Sequence, residues 1–148
     1  MKLQIGSFEI EFNKLSEPAE KALQLKNYAY TVSRNDCVNF ILQCFNIKLV
    51  KRKIYEPFWW YSHNYLEEDL KILQDMKILY KVETPLMNDL IVCKFKKKSF
   101  HHHLGIVLNS NEFISAYDSG VHIDKIEKFC NKDAYFLRVE KRELWQLD

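Results

Sequence analysis

Four short apolar runs in the second half of the chain constrain its fold more than any other feature. They cover residues 90–95, 103–108, 112–117 and 134–139. Each run has the length of a strand and is almost continuously apolar, which is typical of an antiparallel sheet that carries helices on one face. We therefore predict an α+β fold in which an antiparallel sheet of about five strands packs on helices.

The N-terminal part of the chain is predicted to form strands first and helices afterwards. Apolar and polar residues alternate within residues 3–12, which predicts one or two short strands, and residues 1–15 are expected to be an N-terminal strand extension. A first helix is predicted to follow, with Ser16 as its N-cap and its end near Asn27. A third helix is predicted over residues 66–81, where apolar residues again recur at helical spacing.

The second predicted helix begins at Cys37, with Asp36 or Asn35 as its cap. Apolar side chains at positions 40, 41, 44 and 45 give this segment its helical period. A cysteine in the first turn of a helix lies near backbone N–H groups and the positive end of the helix dipole, and both favour thiolate over thiol. Cys37 is therefore the candidate nucleophile.

Length and composition favour one domain over residues 1–148. The chain is 47% apolar, and its 22 basic and 20 acidic residues leave a net charge of +2, so no overall field indicates binding to nucleic acid or anionic lipid. No apolar run reaches the ~20 residues of a membrane helix, and the N-terminus lacks the apolar segment of a signal peptide. We expect a protein made in the cytoplasm, with thiols rather than disulfides, because its four cysteines have no C-x-x-C spacing.

The short connection at residues 109–111 predicts how the second and third runs pair. A three-residue turn there pairs Leu108 with Glu112, and the same register pairs His103 with Tyr117. Side chains alternate between the two faces of a strand, so the predicted core face carries positions 104, 106, 108, 114 and 116. The other face carries positions 103, 105, 107, 113, 115 and 117.

This register gives Cys37 a possible partner. Ser115 becomes a diagonal neighbour of His103, at about 7–8 Å between backbones and within reach of its side chain. Imidazole is suited to accept the proton of a thiol because its pKa lies near neutrality, and a third polar group is needed to fix the ring. His103 is therefore the candidate base, and Ser115 stands where an orienting group is expected.

Residue patterns alone leave other interpretations open. Considered alone, Cys37 is consistent with a buried helix cysteine without chemistry, and His103 with one of the polar residues that end a strand. A zinc site built from His101, His103, Cys93 or Cys130 is a further alternative, although the spacing of these residues is not that of a known zinc motif.

Five segments, in order, resemble the motifs of the NlpC-type cell-wall endopeptidases, a family of papain-like cysteine peptidases. They are Asp-Cys-Val-Asn-Phe-Ile from position 36, Asn-Asp-Leu-Ile-Val from 88, His-Leu-Gly-Ile-Val-Leu from 103, Glu-Phe-Ile-Ser-Ala from 112 and Ser-Gly-Val-His-Ile from 119. The resemblance extends over residues 27–138 and implies a papain-like NlpC fold with the nucleophile at a helix N-terminus.

The same resemblance implies roles for individual residues. Cys37 is implied to attack a peptide carbonyl of the peptidoglycan stem, His103 to act as base and then as acid, and the Cys37 N–H to help stabilise the oxyanion. Tyr28 or Tyr30 corresponds to a family tyrosine shortly before the nucleophile. No metal or other cofactor is implied.

Departures from the family pattern open alternatives. Serine at position 115 replaces the usual histidine, asparagine or glutamine, and His101 or a water is an alternative partner for the imidazole. The Asp-Cys-Val form resembles phage tail-associated members, which implies a virion location and other tail proteins as partners. The alternatives are a tail scaffold that keeps the fold without activity, and a related amidase or acyltransferase with another substrate.

Overall fold

The computed structural model describes residues 2–5, 8–12, 17–28, 36–52, 65–93, 103–117, 120–129 and 133–140. These residues form an α+β fold, as predicted. The helices are α1 (Pro18–Gln24), α2 (Cys37–Cys44), α3 (Tyr65–Asp75) and α4 (Ile126–Phe129). The strands are β1 (Lys2–Ile5), β2 (Phe8–Phe12), β3 (Ile47–Arg52), β4 (Leu79–Val82), β5 (Leu90–Cys93), β6 (His103–Val107), β7 (Glu112–Tyr117), β8 (Gly120–Lys125) and β9 (Tyr135–Val139).

Six of the strands form one antiparallel sheet in the order β4-β9-β5-β6-β7-β8. The sheet contains the four predicted strands and two that were not predicted, β4 and β8. The first two strands of the chain confirm the predicted N-terminal strands and pair with β3 in a separate antiparallel sheet.

The main core lies between the helices and one face of the six-stranded sheet. Helices α1 and α2 pack against each other and against β6 and β7. Side chains of α2, including Phe40 and Cys44, share one buried cluster with Leu104 and Ile106 of β6 and with Ile114 of β7. This is the sheet face that the alternation of residues predicted as the core face.

Helix α1 begins later than the sequence predicted. Its N-cap residue is Glu17 rather than Ser16, and the Glu17 side chain makes no capping hydrogen bond. Instead, Asn88 accepts a hydrogen bond from the Ala19 N–H through Oδ1, at 2.9 Å, so a residue distant in sequence satisfies one of the helix's first amides. Pro18 takes the first helical position, where its missing N–H costs nothing.

Helix α3 ends at Asp75, so the prediction of a helix through residue 81 was wrong. Lys77 has a positive φ of 60°, its N–H donates to the Gln74 carbonyl, and the Ile78 N–H donates to the Leu73 carbonyl. These two bonds form the Schellman arrangement that closes a helix, with lysine in the position that glycine usually occupies. The following residues then join the sheet as β4.

Candidate active site

Asp36 caps the helix that carries Cys37. Its Oδ1 accepts hydrogen bonds from the N–H groups of Val38 and Asn39, at 3.1 and 3.2 Å. The predicted cap is therefore confirmed, and Cys37 occupies the first position of α2. Both residues are buried, with Asp36 5% and Cys37 7% exposed. The helix dipole favours negative charge at this position, whereas the neighbouring carboxylate opposes it.

Tyr28 contacts the start of the same helix. Its hydroxyl donates a hydrogen bond to the Asp36 carbonyl, at 3.2 Å, and its ring meets the Phe40 ring edge to face, with centroids 5.2 Å apart. Of the two candidate tyrosines, the structure therefore places Tyr28 beside the residue that precedes Cys37. Tyr30 lies outside the described residues.

The turn between β6 and β7 has the predicted register. Asn109 accepts hydrogen bonds from the N–H groups of Asn111 and Glu112 through its side-chain oxygen, and the Leu108 N–H donates to the Glu112 carbonyl. Ile106 pairs with Ile114 in the strands that follow. The same register continues to the opposite end of the two strands, where β6 begins at His103.

His103 and Ser115 are brought into direct contact. The His103 Nε2 atom lies 2.8 Å from the Ser115 Oγ atom, and His103 is 2% and Ser115 0% exposed. A hydrogen bond between two buried side chains is electrostatically stronger than one in water because the local dielectric is low. His101, the alternative partner of the ring, lies outside the described residues.

Cys37 and the cross-strand neighbour of His103 belong to two different buried clusters. Cys37 lies in the main core cluster, whereas Cys93, Val107 and Phe113 belong to the second cluster. Cys93 is the direct cross-strand neighbour of His103, through the pairing of β5 with β6. The sequence analysis linked Cys93 to His103 only in the zinc alternative and did not predict that the two residues pair across strands.

A chain of contacts connects the start of α2 to the end of the sheet where His103 lies. A Cβ atom built on Gly120 would stand 4.0 Å from the Tyr28 carbonyl oxygen, so the Tyr28 backbone lies beside β8. Gly120 pairs with Tyr117, and the Tyr117 ring meets the His103 ring edge to face, at 5.5 Å between centroids. Tyr28 thus reaches both the residue before Cys37 and the strand end next to His103.

Three residues at the end of the sheet that carries His103 were not predicted as part of the site: Tyr117, His122 and Asp124. The Tyr117 ring stacks on the His122 ring, with centroids 4.0 Å apart and planes inclined by 30°. The Tyr117 hydroxyl donates to Asp124 Oδ2 at 3.2 Å, and His122 Nε2–H donates to the Tyr117 carbonyl at 3.1 Å. His122 and Asp124 both belong to β8, a strand that the sequence patterns did not predict.

Other features of the described residues bear on the alternatives. No group of three or more His, Cys, Asp and Glu side chains in this part of the chain is arranged to hold a metal ion. Cys37, Cys44 and Cys93, the cysteines within the described ranges, form no disulfide. No helix among these residues is long and apolar enough to cross a membrane. His101 and Cys130 of the zinc alternative lie outside the described ranges.

Comparison with known proteins leaves the site to be judged on its own geometry. A scan against models of known protein families finds no match. A search of curated proteins finds no significant match either.

Proposed function

We propose that the protein is a cysteine hydrolase in which Cys37 is the nucleophile, His103 the general base and acid, and Ser115 the group that orients the imidazole. The observation that carries this proposal is the 2.8 Å contact between His103 Nε2 and Ser115 Oγ, which joins two of the three predicted residues in a buried setting. The cap that places Cys37 at the first position of α2 supports it.

In this proposal the contact with Ser115 occupies Nε2 of His103 and leaves Nδ1 for the exchange of protons. In the proposed state the Nε2–H of His103 donates to Ser115 Oγ, and Nδ1 exchanges the proton with the thiol. Serine can accept this hydrogen bond whether the ring is neutral or doubly protonated. The orienting contact is therefore kept while the ring takes up and returns a proton, as a base that later acts as acid requires.

Catalysis then has two balanced stages. The Cys37 thiol loses its proton to His103, and its sulfur bonds to the substrate carbonyl carbon as the C–N bond breaks and His103 protonates the leaving amine. Water next attacks the thioester and gives its proton to His103, and the carboxylic acid and the thiol are released. The family resemblance assigns oxyanion stabilisation to the Cys37 N–H, while the next two N–H groups donate to Asp36.

The substrate class comes from the resemblance to the NlpC-type endopeptidases. On that basis the protein cleaves a peptide bond in the peptidoglycan stem, and it acts from the tail of a virion beside other tail proteins.

Digestion of purified muropeptides tests the proposal. Cys37→Ala should abolish release of the cleaved peptides, while Cys44→Ala should keep it. Cys93→Ala is the sharper control because Cys93 is the cross-strand neighbour of His103 and 1% exposed. Activity that survives Cys37→Ala but not Cys93→Ala would reassign the nucleophile to β5. Activity that survives both would refute a cysteine hydrolase.

A second candidate function is a scaffold that has kept the fold without its activity. The burial of both groups favours it, since Cys37 is 7% and His103 2% exposed, as does serine at the third position. Alkylation by iodoacetamide at pH 6 separates the two candidates. A paired thiolate reacts at this pH, and His103→Ala should then slow it, whereas a scaffold thiol should react no faster than Cys44.

A further inference from the structure

We infer that Tyr117 is a second positioning residue for His103, held in place by Asp124 and His122, and that it compensates for the weak orienting group at position 115. This inference rests on the proposed function and identifies how the imidazole of that site is held. Tyr117 contacts neither the thiol nor the substrate in this role. It acts through His103 alone.

A serine hydroxyl leaves one rotation of the imidazole poorly controlled. The Ser115 Oγ atom contacts the ring at Nε2, and the hydroxyl itself rotates about its own C–O bond. A single hydrogen bond fixes the position of one ring atom, but the ring plane can still turn about it. A second contact on the ring further restrains the direction of the other nitrogen.

Tyr117 supplies such a contact. Its ring meets the His103 ring at 88° with centroids 5.5 Å apart, an edge-to-face geometry that is favourable for aromatic pairs. A ring packed in this way resists rotation of its partner, because turning the imidazole would lose the edge contact. Ser115 and Tyr117 thus hold the same ring from two directions.

The orientation of Tyr117 is in turn fixed by β8. Its hydroxyl donates to Asp124, and one ring face stacks on His122 at 4.0 Å. The pairing of β7 with β8 aligns these side chains, since Ser115 pairs with His122 and Phe113 with Asp124. Strand β8 therefore contributes two side chains whose shared effect is to immobilise Tyr117 against the candidate base.

The pH dependence of alkylation by iodoacetamide tests this role. Tyr117→Leu should lower the rate at pH 6 by up to about tenfold, the effect of losing one aromatic contact. The rate at pH 9.5 should not change, because there the thiolate forms without His103. Tyr117→Phe and Asp124→Ala keep the ring and should give smaller losses at pH 6. Tyr80→Leu, at the opposite edge of the sheet, should match the wild type.

The tautomer of His103 gives a readout that does not depend on catalysis. Long-range ¹H–¹⁵N spectra of the imidazole rings, assigned with His103→Gln, should show mainly the Nε2–H form in the wild type and a mixture in Tyr117→Leu. If Tyr117→Leu leaves both the spectrum and the pH 6 rate unchanged, Tyr117 has no positioning role. Failure of the proposed function gives a different result, namely hydrolysis that survives Cys37→Ala. The spectra would still measure the tautomer of His103 in that case.

Should Tyr117→Leu fail to fold, Asp124→Ala decides the question, because it leaves the ring and the β7 backbone in place. A partly mixed tautomer in Asp124→Ala, with a lower rate at pH 6, supports the inference. A spectrum and rate identical to those of the wild type overturn it.

Discussion

His103 and Ser115 are hydrogen-bonded at 2.8 Å although 12 residues separate them in sequence. The contact follows from the register of β6 and β7, which the turn at Asn109 sets by accepting two backbone N–H groups. Since both side chains are buried, the polar atoms of each depend on the other for part of their hydrogen bonding.

Ser115→Ala should lower kcat for muropeptide hydrolysis by about tenfold and leave KM unchanged. The substitution removes the acceptor for Nε2–H, so a smaller fraction of His103 has the tautomer and direction that the thiol requires. Steady-state kinetics measure both constants. A kcat within twofold of the wild type would show that Ser115 does not orient the ring.

The same substitution should also lower the free energy of unfolding, by about 1–2 kcal/mol, because it leaves a buried ring nitrogen without this partner. Urea denaturation measures the change. If stability falls while kcat is retained, the hydrogen bond serves the fold and not the chemistry.

Asp36→Ala should lower the free energy of unfolding by about 1 kcal/mol, which is the usual cost of losing an N-cap. Asp36→Asn is the matched variant, since its side-chain oxygen can still accept from the Val38 and Asn39 N–H groups. It should be nearly as stable as the wild type in urea. It should also raise the alkylation rate of Cys37 at pH 7, because the negative charge beside the thiol is gone. Equal destabilisation by both substitutions would contradict a capping role.

Local patterns in the sequence were sufficient for α2 and for the turn between β6 and β7. The helix has an apolar period, and Asp36 precedes it as a capping residue, so the interactions that define its start lie within three residues. The turn is equally local, because Asn109 bonds to residues two and three positions ahead. For the same reason the contact of His103 with Ser115 was predictable once the register was known.

Features that depend on distant residues were not predictable. Asn88 caps α1 from 69 residues away, so the local preference for Ser16 as the cap was misleading. Helix α3 ends through Lys77 in a positive-φ conformation that sequence patterns assign to glycine. Strand β8 mixes apolar and polar residues, and its contribution to the site through His122 and Asp124 emerges only from pairing with β7.

Gly105→Ala should be strongly destabilising, by about 1–3 kcal/mol, because β6 is packed too closely for a methyl group. A Cβ atom there would stand 2.6 Å from Phe113 Cδ2 and 3.1 Å from the Ile114 carbonyl oxygen. Gly120→Ala is the control, since its nearest neighbour is the Tyr28 carbonyl at 4.0 Å, and its effect should stay within ~0.5 kcal/mol. Urea denaturation of both variants measures the difference. Equal effects would show that the β6 contact relaxes without cost.

Arg138→Met should lower the free energy of unfolding by about 3 kcal/mol, because it leaves a buried carboxylate without its counter-ion. Asp89 is 3% exposed and accepts two parallel hydrogen bonds from Arg138, both at 2.8 Å, as well as one from the Leu86 N–H. This pairing raises the pKa of the Arg138 guanidinium, so Arg138 keeps its positive charge at alkaline pH.

The double variant Asp89→Asn/Arg138→Met should recover part of that loss, since no unpaired charge remains. Urea denaturation of the wild type, the two single variants and the double variant measures the coupling between the residues. Additive losses would show that the two side chains stabilise the fold independently.

Alkaline pH should destabilise the protein through Cys44. Burial raises the pKa of this thiol from 9.0 to about 12, although the charge of Lys21 opposes the shift. The folded state therefore holds its proton more tightly than the unfolded chain. The resulting stabilisation is complete below pH 9 and is lost as pH rises from 9 towards 12, by at most about 4 kcal/mol. Cys44→Ala should lower stability at pH 7 but flatten its decline above pH 9 in urea denaturation. A decline as steep as in the wild type would exclude Cys44 as its cause.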